Sequence, residues 1–130
     1  MSTNEFQENP AMTVTAAYLP ARATAEGLLP DGPPPAYVTY EGEPNVRVRP
    51  LHTPEGGPAT LIWAADADSA VVVTDATVAE TMHIIEGRAK LTDSDGRSFE
   101  IGPGDVLVMP KGWSGRIDTL EFVRKVIVVG

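Results

Sequence analysis

Arg124 and Lys125 interrupt an otherwise apolar run from Phe122 to Val129. Successive side chains of a β-strand point to opposite faces, so one of these cations must face whatever the strand buries. A cation taken out of water needs a partner charge or hydrogen bonds. If Lys125 is the inward one, Glu80, in the segment ETMHII (Glu80 to Ile85), is the candidate partner. Parity puts Met82 and Ile84 on the same face as Glu80, so its carboxyl meets apolar surroundings. Desolvation raises the pKa of such a carboxyl and suits it to general acid or base work. Two readings stay open for each group. Glu80 is an acid–base group or a carboxylate satisfied by a backbone turn or a cation. Lys125 holds an anion or moves a proton, or is half of a structural ion pair, or reaches past a barrel edge.

Other residue types could serve a pocket. Arg116 could add a second cation, and Trp63 and Trp113 could stack on a ligand, although such rings also build cores. Ser114 in Gly112-Trp113-Ser114-Gly115 is no nucleophile elbow, which needs Gly-x-Ser-x-Gly opening a helix. The two histidines, His52 and His83, are far apart in the chain. His83 lies three residues after Glu80 and so points to the other face. Glu80, His52 and His83 could hold zinc only if the N-terminal part folds back onto them. Asp75 with Glu80 offers a hard cation too few oxygens. No metal and no cofactor is expected.

Composition narrows the classes. Ten basic against eighteen acidic residues give a net charge of −8, which repels nucleic acid and anionic membranes. No cysteine is present, so disulfides, thiolate metal sites and cysteine nucleophiles are excluded. Met1 to Pro10 lacks the features of a signal peptide, and no apolar run approaches the roughly 18 residues of a membrane span. A cytoplasmic protein is expected.

The elements that must position these residues are strands. From Ala59 onward the chain alternates short β-prone runs with turn residues: Ala59 to Ala64, Ser69 to Thr74, Glu80 to Ile85, Arg88 to Thr92, Arg97 to Ile101, Val106 to Met109, Arg116 to Thr119 and Phe122 to Val129. Asp95-Gly96 marks a hairpin and predicts a type I′ turn. Gly102-Pro103-Gly104-Asp105 predicts a type II turn, with Pro second and Gly third. Before residue 50 the chain is rich in Pro, Gly and Ala. Pro30, Pro33, Pro34 and Pro35 with Gly27 and Gly32 argue against regular structure around residues 27 to 36. Tyr37 to Tyr40 and Val46 to Arg49 read as edge strands, Thr13 to Leu19 as a short helix or strand, and residues 1 to 12 as a tail that is disordered or part of the arm. About eight strands with no convincing helix predict a sandwich or barrel.

Two stretches go further. ETMHIIEG carries Glu80 and Gly87 with six residues between them, and GPGDVLVMPKG carries Gly104, Pro110 and Gly112. Order and spacing resemble the two motifs of cupins. Within them, IIEGRAKLTDSDGRSFEIGPGDVLVMPKGWSGRI resembles the small single-domain cupins of the cupin_3 group, related to the ethanolamine-utilisation cupin and the ureidoglycine aminohydrolases. The resemblance covers Ala59 to Val129. It implies an all-β, cupin-type double-stranded β-helix (a jelly-roll barrel) at residues 51–130, an extended N-terminal arm at 1–50, and a homodimer. A metal-binding cupin would place two histidines within Val73 to Ala76, a carboxylate at Glu80 and a histidine at Gly115; only the carboxylate is present.

Together these features predict a metal-independent barrel that binds a small polar or anionic molecule. Glu80 and Lys125 are its acid–base candidates, for isomerisation, cyclisation or elimination. Trp63, Met82, Arg116 and Trp113 are the candidate ligand contacts. A non-catalytic sensing module and a structural subunit of a larger assembly are the alternatives.

Overall fold

β-Branched residues with turn signals every few positions leave the chain little choice but short antiparallel strands. The computed structural model describes residues 14–130. A 3₁₀ turn, Ala21–Ala23, precedes β1 (Leu29–Pro30), β2 (Val38–Glu41), β3 (Arg47–His52), β4 (Ala59–Ala65), β5 (Ser69–Val73) and β6 (Glu80–Glu86). Then follow β7 (Ala89–Thr92), β8 (Ser98–Ile101), β9 (Val106–Met109), β10 (Gly115–Thr119) and β11 (Val123–Val129). One sheet has the order β1-β3-β4-β11-β6-β9 and the other β2-β5-β10-β7-β8, with every pairing antiparallel. Among the described residues no helix is long and apolar enough to cross a membrane.

The eight strands read from Ala59 onward are β4 to β11. The arm is more regular than its composition suggests. β2 pairs with β5 at one edge of the five-stranded sheet, and β3 pairs with β4 in the other sheet. β3 runs across the boundary drawn after residue 50, so the arm completes both sheets of its own barrel. The proline-rich stretch holds a two-residue strand after all: β1 pairs with Val48 and Arg47, and Asp31 N–H donates to the Val46 carbonyl at 2.9 Å. Pro30 is tolerated because β1 is an edge. The segment Thr13 to Leu19 forms neither helix nor strand over its described residues, 14–19. Val14 and Tyr18 are 95% and 80% exposed there, so no apolar face is buried to hold an element together. The reading of residues 1 to 12 lies outside the described residues.

Two turns show how the motifs work. The hairpin at Asp93–Gly96 forms, with Gly96 N–H donating to Asp93 O at 2.9 Å, but Gly96 alone has positive φ (89°). It is therefore a type I turn closed by a left-handed glycine rather than type I′. Gly87 has φ 92°, and a Cβ there would lie 2.0 Å from the Phe122 carbonyl oxygen. The glycine of the first motif thus lets the chain pass against the start of β11.

The core is built by Met82 and Ile84 of β6, Ala89 and Leu91 of β7, Ile101, Met109, Ile117, and Val123 and Ile127 of β11. It fills one end of the space between the sheets. Below Lys125 the remaining void, bounded by Ile84, Ala89, Ile101 and Val123, measures only about 10 Å³. The other end is open.

Candidate functional site

The open end is a cavity of about 330 Å³ between the sheets. β11 contributes Lys125, Ile127 and Val129, and β6 contributes Glu80 and Met82. β4 contributes Leu61 and Trp63, while Val71, Val73 and Ile117 come from the facing sheet. The arm supplies Tyr37, Val38 and Tyr40, with Asp31 and Pro35 exposed at the rim.

Alternation decides which β11 cation enters. Lys125 faces inward and is 5% exposed, while Arg124 faces outward and pairs with Glu86. Strict alternation along β6 would put Glu86 on the inner face with Glu80, Met82 and Ile84. Instead Arg124 sits opposite Glu86 and Lys125 opposite Ile84, so Ile85 is an extra residue, a β-bulge. The bulge turns Glu86 out to meet Arg124 and leaves Lys125 without it. Arg124 Nε is buried and lacks an acceptor among the described residues.

Inside, Lys125 Nζ lies 3.1 Å from Met82 Sδ and 4.2 Å from the centre of a Trp63 ring. Thioether sulfur is a weak acceptor and a ring face gives only a modest cation–π attraction. Among the described residues no oxygen accepts from this amine. Burial pulls its pKa down to about 8, with Glu80 opposing that shift through space. Glu80 is displaced the other way, because burial raises its pKa while Lys125 lowers it. The two do not touch. Glu80 sits opposite Val129 and Lys125 opposite Ile84, two inward positions apart, which is about 13 Å between backbones at the usual strand rise. The hydroxyls of Tyr37 and Tyr40 are also shifted up, by burial first and then by Glu80 and, for Tyr40, Asp31.

Of the six residues expected to serve a pocket, the structure brings together Glu80, Lys125, Trp63 and Met82. Arg116 is not among them. It lies on the outer face, beside Ile117, and pairs with Glu41 at 2.7 Å and Asp118 at 3.0 Å. Parity already contained this answer, since Ile117 is the apolar residue of its strand and must be the inward one. Trp113 also misses the cavity; its Nε1–H donates to Asp93 at 2.9 Å. Tyr37, Tyr40 and Asp31 went unread, although alternating Val38 and Tyr40 signals a strand with a buried face.

The metal positions do not suit a metal. Val73 is apolar, and Asp75 is exposed in a left-handed turn (φ 54°), its N–H donating to Ser114 Oγ. At Gly115 a Cβ would come within 2.2 Å of the Trp113 ring, so indole occupies the room a histidine would need. His83 is exposed on the outer face of β6, and His52 is exposed at the end of β3. Among the described residues no three His, Asp or Glu side chains group as a metal site.

Two antiparallel sheets closing on an interior that is open at one end, with both motif turns at its strand ends, define a single-barrel cupin. The model of the EutQ-like cupin domain matches residues 53–126, more than half of the chain, and the chain belongs to that family. Solved structures agree on the fold. EutQ from Clostridium difficile is 19% identical with a TM-score of 0.57, over 66% of this chain and 62% of that one. Ectoine synthase from P. lautus is 17% identical with a TM-score of 0.60, over 65% and 63%. A protein of unknown function from Pseudomonas syringae pv. tomato is 22% identical with a TM-score of 0.68, over 82% and 46%. The chain thus spans less than two thirds of each of these three. No curated protein sequence matches it.

Proposed function

We propose that this cupin binds a small polar molecule in its barrel, with an acceptor oxygen of the ligand meeting Lys125, and that Glu80 and Lys125 act on it by acid–base chemistry without a metal. One observation carries this reading: a buried lysine lines an open cavity and has no oxygen partner among the described residues. A buried amine left unpaired is costly unless something else completes it. The opposed shifts of Glu80 and Lys125 support the chemical part, since both groups move toward neutrality. A barrel plugged by the arm would favour a purely structural role, and this cavity is open.

A thermal-shift screen of small carboxylates, sugar acids and carbonyl compounds tests the reading. A true ligand at a hundred times its Kd raises stability by about 2.7 kcal/mol. The rise is expected in the wild type and not in Lys125→Met. A screen in which no compound separates the two proteins overturns it. Where a hit is turned over, unchanged turnover by Glu80→Gln removes Glu80 from the chemistry. The homodimer and the cytoplasmic location belong to the same proposal; light scattering of the purified chain tests the first.

A further inference from the structure

We infer that Lys125 is a nucleophile that condenses with a small aldehyde or ketone in the barrel to form an imine. The inference rests on the ligand-binding reading above and names the class of ligand. Four features of the site carry it. The amine is buried and aimed into a cavity of about 330 Å³, at the small end of the range for small-molecule sites. Its nearest groups are the Met82 sulfur and the Trp63 ring, which give an ammonium far less than water does, so that burial favours the neutral amine. A site built to hold a carboxylate would commonly offer a second cation, yet no arginine or second lysine lines this cavity. Glu80 lies in the same cavity but out of contact with the amine, and a carbonyl compound can sit between them.

Burial acts in the same direction. With its pKa near 8, Lys125 has on the order of a hundred times more neutral amine at pH 7 than an ordinary lysine. The titratable groups that line its cavity are Glu80 from β6 and, from the arm, Asp31, Tyr37 and Tyr40, and of these Glu80 acts on the amine through space.

The step balances without an oxidant or reductant. The lone pair of Nζ attacks the carbonyl carbon and forms the C–N bond, and the carbonyl π pair moves to oxygen, which takes a proton. A proton leaves nitrogen. The hydroxyl, protonated by the carboxylic acid form of Glu80 directly or through water, departs as water while the nitrogen lone pair closes C=N. Loss of the second nitrogen proton gives the neutral imine, and retention gives the iminium.

Reductive trapping tests this. The full chain is incubated with pyruvate, glyoxylate, butyraldehyde or benzaldehyde and sodium cyanoborohydride at pH 7, and intact mass and digested peptides are read. The expected result is one adduct, the mass of the carbonyl compound less one oxygen, on Lys125. It should form on the order of tenfold or more faster than on the exposed Lys90 and Lys111, the chain's two other lysines. It should vanish in Lys125→Arg, which keeps the charge. Labelling of Lys125 no faster than of Lys90 and Lys111, with every carbonyl tried, overturns the inference. Calorimetry with the same carbonyl compounds and with lactate, without reductant, separates the two failures. Binding without Lys125 trapping sinks the imine alone, whereas neither binding nor trapping sinks the binding reading as well.

Discussion

Arg124 and Lys125 adjoin in the chain, yet the two faces of β11 treat them oppositely. On the outer face, a bulge at Ile85 swings Glu86 round to Arg124, and the guanidinium is half of an ion pair. On the inner face, the same bulge withholds Glu86 from Lys125 and leaves its amine against a sulfur and an indole. Among the described residues, one cation is given a carboxylate partner by the fold, although its Nε lacks an acceptor, and the other is given no oxygen at all. The cost of an incomplete buried charge is what the proposed ligand would relieve on the inner face, while the outer pair needs no ligand.

Substitutions on the two faces should therefore differ in sign. The largest effect is expected from Lys125→Met, which replaces the amine with an apolar chain of similar length. The pKa of Lys125 falls from 10.5 unfolded to about 8 folded. The unfolded chain thus binds the proton more tightly, and the cost is fully present below pH 8. At 1.36 kcal/mol per unit it amounts to about 3 kcal/mol at pH 7, which Lys125→Met should recover in urea unfolding. Wild-type stability should also rise relative to the variant between pH 8 and 10.5, where the folded state loses its proton first.

Glu80→Gln should stabilise as well, by less. Burial raises the folded pKa of Glu80 above its unfolded 4.5, so ionisation is disfavoured in the fold. The cost is present above the folded pKa and is relieved as pH falls toward 4.5. The variant should be more stable at neutral pH and should lack the wild type's relative gain on acidification, as read by unfolding midpoints across pH 4 to 7.

The outer face should respond weakly and in the opposite sense. Arg124→Met should cost about 1 kcal/mol or less, because Glu86 is half exposed and water replaces much of the lost partner. Glu86→Gln should cost a few tenths of a kcal/mol, and 1 M salt should erase the difference. Stabilisation by Arg124→Met comparable to that of Lys125→Met would break the contrast between the two faces.

Much of the barrel was legible because its signals are local. Gly96, Gly104 and Gly112 mark the turns, and the runs between them are β-prone. Inward parity at Glu80, Met82 and Ile84 was readable too. The choice between Arg124 and Lys125 was not, since a one-residue shift in register exchanges them. The bulge at Ile85 depends on how β6 meets β11, and nothing within ETMHIIEG announces it. Trp113 was assigned to the pocket from its type, although its place is set by Asp93, twenty residues away. The tyrosines of the cavity are not legible as site residues from a proline-rich arm, because only the pairing of β2 with β5 turns them toward the interior.

The most direct test is the titration of Lys125 itself, followed by NMR of the Cε carbons of the three lysines with ¹³C labelling. The account predicts that Lys125 titrates near 8, well below the range of an ordinary lysine. Titration of Lys125 in the ordinary lysine range would mean that its charge is already matched inside the barrel, and would contradict the proposal that this amine awaits a ligand.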